Sequence, residues 1–187
     1  IVLVLMIAFS YWNDNTALDY LSNRNVEKRM TLDRVFDDWM KIKKSAWLER
    51  HPGTDMPVVL IATQGGGIRG LTWTTRIFHY LDSTYEGFMD QTFVISGVSG
   101  GGVGSTAYLS WMHDQQTSAD PPPYEKLNSF TKRDFLSPVT AAFAFGDCFQ
   151  RFLPFPVSSL DRSKMLGRTW DEYYNECVGV NTFSRSF

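Results

Sequence analysis

Apolar positions in this chain change rhythm several times, and each change predicts an element. From Thr31, the residues Leu32, Val35, Phe36, Trp39, Ile42 and Ala46 recur every three or four positions with charges between them. That spacing predicts an amphipathic helix with Thr31 as its N-cap. "HPGTD" breaks it at Pro52 and Gly53. "PVVLIAT", Pro57 to Thr63, is a continuous β-branched run apolar on both faces, the pattern of a parallel strand covered on both sides. "QGGGIRG" follows as a loop, and "LTWTTRIFHYLDSTY" reads as a helix. "TFVIS", Thr92 to Ser96, is a second buried strand, and "STAYLSWMHD" after a glycine turn is helical again. Strand, glycine loop, helix, strand, glycine turn, helix is the alternation of an α/β fold with a parallel sheet, whose sites lie at the carboxyl ends of the strands.

The flanks are patterned differently. The chain opens "IVLVLMIAFSYW". Ten apolar residues are too few to cross a bilayer, which needs about 20. They read either as the end of a transmembrane or anchoring segment, with Tyr11 and Trp12 as interfacial aromatics, or as a buried first element. Residues 13–56 read as a polar linker, "NDNTALDYLSNRN", followed by the amphipathic helix. Residues 57–187 read as the start of a larger α/β domain, and the whole as an excerpt of a longer protein. "SADPPPYEK" is expected as a surface loop. "DFLSPVTAAFAFGDCFQRFLPFP" is expected to be helical until Pro154 and Pro156, with Asp147 and Arg151 paired one turn apart. Seven phenylalanines lie between Phe130 and Phe155; they fit a packed core or a surface where lipid arrives. "SSLDRSKMLGRTWDEYYNE" predicts a last helix with a Ser or Asp cap.

Composition narrows the function. The chain has 187 residues and a formal net charge of −2, so no basic surplus points to nucleic acid. Cys148 and Cys177 are far apart and belong to no metal-ligand spacing. They are expected to be two buried thiols, with a single disulfide as the alternative. Arg24, Lys28 and Arg29 after the apolar start favour a domain on the cytoplasmic side of a membrane.

The chemistry concentrates in the two glycine-rich segments. Gly97-Val98-Ser99-Gly100-Gly101 fits G-x-S-x-G, the elbow that lifts a serine Oγ above a sheet edge, and the required strand and helix flank it. The other segment is Gly65 to Gly70. Gly65-x-Gly67-x-x-Gly70 also satisfies a dinucleotide fingerprint, but the nearest acidic candidate, Asp90, precedes its strand instead of ending it. Neither segment carries a P-loop lysine. What remains is a loop of bare amides beside a serine, which suits an oxyanion. Arg69 either holds that loop or attracts an anionic head group, or is simply a solvated charge at a helix start.

No base for Ser99 is visible. His51 precedes the first strand and belongs at the opposite end of the sheet. His79 is roughly 16 Å along its helix and His113 roughly 21 Å along the helix of Ser99 itself. Either a carboxylate or a residue beyond Phe187 must take the proton.

"QGGGIRG" followed about thirty residues later by "GVSGG" resembles the patatin-like phospholipases over Pro57 to Trp111. "DFLSPV", "QRFLPFP" and "LDR" are similar to large bacterial, membrane-associated members. The resemblance implies a three-layer sandwich around a parallel sheet, incomplete within these residues. It implies Ser99 as nucleophile in an elbow with Gly97 and Gly101, and Gly65, Gly66, Gly67 and Arg69 on the oxyanion side. It also implies a Ser-Asp dyad that needs no metal or cofactor. The aspartate of that family lies in an Asp-Gly motif, and no Asp-Gly pair occurs here. Asp134, Asp147 and Asp161 lack that context. The expected activity is hydrolysis of fatty-acyl esters of phospholipids or lysophospholipids at a bacterial inner membrane. Acyl transfer on the same site and a non-catalytic membrane scaffold are the rivals.

Overall fold

The computed structural model describes residues 1–12, 30–155, 157 and 162–179. The polar linker, Arg24, Lys28, Arg29, Pro156, Asp161 and the expected cap of the last helix lie outside them. The chain is mixed α/β and mostly helical. It divides into two compact units, residues 21–109 and residues 1–20 with 110–187.

In the unit of residues 21–109, helix α2 (Leu32–Arg50) comes first. Strand β1 (Val59–Thr63), helix α3 (Gly67–Thr84), strand β2 (Thr92–Gly97) and the first half of helix α4 (Gly100–Thr117) follow. The strands pair in parallel, Leu60 with Val94 and Thr63 with Gly97, so their carboxyl ends are level. The amphipathic helix forms as expected, although the Thr31 side chain makes no capping bond and no residue of α2 is fully buried. Phe36 and Trp39 close over Phe93 of β2, with ring centroids 5.0 and 5.2 Å away, while Leu32 and Ile42 stay exposed.

Both strands were expected to be covered on two faces. Instead, β1 alternates half-buried and exposed positions, and the paired residues Leu60 and Val94 are 67% and 44% exposed. The covered face carries Phe93, and near its end Thr63, whose hydroxyl lies 3.2 Å from that of Ser105 in α4. The opposite face has no described element on it. β1 thus keeps the continuous apolar run of a doubly covered strand while one of its faces meets no described element.

The helices also begin earlier than their apolar patterns. α3 starts at Gly67 and α4 at Gly100, both inside the glycine segments. The buried face of α3 carries Leu71, Thr74, Thr75 and Phe78. Phe78 meets Tyr108 of α4 edge to face, and the Tyr108 hydroxyl donates to Asp82 at 3.2 Å.

The other unit holds α1 (Val2–Trp12), the second half of α4, α5 (Tyr124–Phe130), and a helical run made of α6 (Leu136–Ala141), a π-helical turn (Ala142–Asp147) and α7 (Cys148–Gln150); α8 (Arg162–Val178) closes it. Its core is Leu127, Phe130, Tyr174 and Val178. Tyr174 donates to the fully buried Asp114 at 3.0 Å; burial, with that carboxylate beside it, pushes the phenol well above its ordinary range.

Four expectations fail in this unit. "SADPPPYEK" is not wholly a surface loop: Pro122 is fully buried, its carbonyl accepts from the Trp111 indole at 2.7 Å, and Tyr124 opens α5. The thiols are not buried, since Cys148 is exposed and Cys177 half-buried; both are free. Asp147 pairs with Arg162 at 3.3 Å instead of Arg151, because the π-helical turn ends at Asp147 and Arg151 falls in the turn after α7. The helix therefore stops before Pro154. Finally, the phenylalanines do not form one core. Phe130 and Phe135 are buried, but Phe143, Phe145, Phe149, Phe152 and Phe155 are exposed.

Candidate functional site

β2 delivers the chain to Ser99 under tight control. The Val98 amide donates to the Thr63 carbonyl at 3.1 Å, which carries the parallel ladder one residue past β2. Ser99 then turns left-handed, with φ at +51°, the one non-glycine residue among those described with a positive φ. Such a conformation costs an L-residue about 1–2 kcal/mol. The surroundings hold it there: the Ser99 carbonyl accepts from Val103 at 3.1 Å, and the Val98 carbonyl accepts from Gly101 at 3.1 Å, closing the first turn of α4. Ser99 is exposed. This is the strand–turn–helix context that the motif demands.

The surrounding glycines serve close approach. A Cβ on Gly97 would lie 2.5 Å from the Gly102 Cα and 2.9 Å from the Thr63 hydroxyl. One on Gly100 would overlap the Gly67 carbonyl oxygen, and one on Gly101 the Gln64 carbonyl oxygen. A Cβ on Gly104 would sit 2.7 Å from the Leu71 carbonyl. The start of α4 is therefore pressed backbone to backbone against the β1–α3 connection.

That connection passes over the serine. A Cβ on Gly65 would lie 3.2 Å from the Ser99 Cβ and 3.9 Å from its Oγ. Gly66 and Gly67 turn with φ at +154° and +55°, and α3 begins immediately. The first-turn amides of a helix have no intrahelical acceptor; in α3 these are Gly67, Ile68 and Arg69, while the Gly70 amide donates to the Gly66 carbonyl at 3.3 Å. Two helix N-termini, those of α3 and α4, thus flank one exposed hydroxyl. Both favour negative charge. The arrangement suits an addition to a carbonyl in which oxygen becomes anionic.

Ser99, Gly65, Gly66, Gly67, Gly97 and Gly101 lie together at the carboxyl ends of β1 and β2. Arg69 is exposed on the first turn of α3. Two amides were overlooked by the sequence reasoning: Ile68, because the helix was placed after the loop, and Gly100. The elbow rule itself could have found Gly100, since it assigns one donor to the residue after the nucleophile.

The carboxylates and histidines do other work. Among the described residues, no group hydrogen-bonds the Ser99 hydroxyl. His51 stacks on Trp47 at 3.8 Å, and His79 lies in the body of α3. Asp90 pairs with Lys43 at 2.6 Å and precedes β2, so it cannot serve a dinucleotide ribose at the strand ends. Asp134 accepts from the Leu136 and Ser137 amides, each at 3.0 Å, at the start of α6. The Ser137 side chain first, and then these amides, hold its carboxyl below the usual range. Asp147 is tied to Arg162.

No protein-family profile, no curated protein and no solved structure matches this chain.

Proposed function

We propose that this chain carries the nucleophile half of a patatin-like serine acyl hydrolase, built on a three-layer sandwich that these residues only begin. The observation that carries the reading is Ser99: left-handed between β2 and α4, with the Gly65–Gly67 connection against its side chain. Its Oγ attacks the acyl carbon of a phospholipid or lysophospholipid ester at a membrane. The amides of Gly67, Ile68 and Gly100 receive the developing oxyanion; its collapse expels the lipid alcohol and leaves Ser99 acylated, and water then hydrolyses that ester to fatty acid and free serine. A hydroxyl near neutral pH needs an adjacent base, and this reading assigns that role to an aspartate outside the described residues.

The lack of a base beside Ser99 among the described residues favours one second reading, a non-catalytic scaffold that keeps the elbow. One experiment separates the two. The natural full-length protein is treated with a serine-directed fluorophosphonate beside its Ser99→Ala variant. Labelling that depends on Ser99 supports the hydrolase, whereas no labelling of either supports the scaffold.

A further inference from the structure

The exposed phenylalanines remain to be explained. Between Leu136 and Phe155, the exposed positions include Leu136, Phe143, Phe145, Phe149, Phe152 and Phe155. The π-helical turn buries Ala142 and Gly146 and turns Phe143 and Phe145 outward. In water each such ring leaves unrealised part of the roughly 1.5–3 kcal/mol that full burial would contribute, and large exposed apolar patches mark interaction sites.

The character of its neighbour identifies the partner. α1 belongs to the same unit. It has no charged residue, and Val2, Leu3, Val4, Leu5 and Ile7 are all exposed. Ser10, in its last turn, donates to the Met6 carbonyl at 2.7 Å and so is satisfied within the helix. A helix apolar all round needs an apolar environment all round, which a single protein surface does not supply and a lipid layer does. Arg151 joins the two surfaces: with Leu3, Met6, Ile7, Ser10 and Tyr11 it lines an open depression of about 600 Å³. Arg162 lies over the Phe143 ring, 5.4 Å from its centroid. Arginines bordering apolar rings, together with Tyr11, are the groups expected at head-group depth.

We propose that the helical run Leu136–Phe155, together with α1, is a bilayer-docking surface. The exposed phenylalanines enter the acyl region of one leaflet, and Arg151 meets anionic phospholipid head groups, while Arg162 stays paired with Asp147. For its biological setting this rests on the lipid-hydrolase reading above, but the docking requires no activity of Ser99. No helix among the described residues is long and apolar enough to cross a membrane; the contact proposed here is that of the exposed rings and α1 with one leaflet.

Cys148, exposed between Phe145 and Phe149, is a built-in reporter. The full chain with Cys177→Ser is labelled at Cys148 with an environment-sensitive fluorophore. It is then mixed with vesicles of phosphatidylcholine, with or without phosphatidylglycerol, carrying acyl-chain quenchers. The label should be quenched, and more strongly when phosphatidylglycerol is present. Phe145→Ser with Phe149→Ser, both surface changes checked for fold by circular dichroism and carrying the label at Ser137→Cys, should weaken vesicle binding at least tenfold. Arg151→Gln should reduce the preference for phosphatidylglycerol. An unquenched label, unchanged binding by the double variant, or a lipid-free dimer that shields Cys148 would overturn the proposal. Ser99→Ala should leave quenching unchanged, and fluorophosphonate labelling without lipid reads the serine separately, so the two proposals fail independently.

Discussion

The two glycine segments look alike in composition and differ in what their glycines do. Around Gly66 and Gly67, glycine supplies backbone angles: Gly67 has φ at +55°, yet a Cβ there would meet nothing within 4 Å. Around Gly97 to Gly104, glycine supplies space. Gly97, Gly100, Gly101 and Gly104 have no left-handed φ, but a Cβ on any of them would collide with neighbouring atoms, backbone ones in every case. The one left-handed residue in that second segment is the serine. The chain thus keeps its permissive residues where contact is tightest and sets an ordinary L-residue at the strained angle, as functional turns do.

This division makes graded predictions. The largest effect belongs to Gly101→Ala, whose methyl must displace the Gln64 carbonyl. Stability should fall by about 3 kcal/mol or more, read by denaturant unfolding; a loss below 1 kcal/mol would show that the loops are not packed as tightly as described. Next is Gly67→Ala. Open space surrounds it, so only the backbone angle is penalised, by about 1 kcal/mol. If the amide it displaces is an oxyanion donor, Ser99 labelling by a fluorophosphonate should slow roughly 10²-fold. Equal loss of stability in Gly67→Ala and Gly101→Ala would erase the distinction between the segments. The smallest effect is at the serine itself. Ser99→Gly relieves the left-handed strain and Ser99→Ala does not, so the glycine variant should be more stable by about 0.5–1 kcal/mol, after its greater unfolded-state entropy is counted. A reversed order in thermal melts would mean that Ser99 is not strained.

Much of this arrangement was legible in the residues. β-branched density placed both strands within a residue or two, and the elbow pattern placed Ser99 between β2 and α4. What misled was glycine, which signals loops. Gly70 and the glycines from Gly100 to Gly104 lie within helices because two backbones meet there, and Gly67 because α3 opens on a left-handed turn; no pattern within one segment reports the proximity of another. The same blindness to neighbours hid the exposed face at Leu60 and Val94. It also hid the pairing of Asp147, which depends on a π-helical turn that helical spacing does not anticipate. Pro122 was misread because burial of a Pro-rich loop depends on Trp111 eleven residues earlier. The phenylalanines were ambiguous for a different reason: a ring that packs into a core and one that faces lipid have the same sequence signature.

The parallel ladder also imposes an order of assembly. Val59 pairs with Thr92, and Thr63 with Gly97, across more than thirty residues of intervening chain. Among the described residues each strand pairs with the other alone, and that pairing requires the long connection to be closed. α3 occupies most of the connection and forms through local contacts. Winding it shortens the loop that pairing must close, since a helix advances about 1.5 Å per residue where an extended chain spans more than twice that. The elbow at Ser99 is therefore non-local geometry: it requires β2 seated on β1 and the start of α4 pressed against the connection that leads into α3.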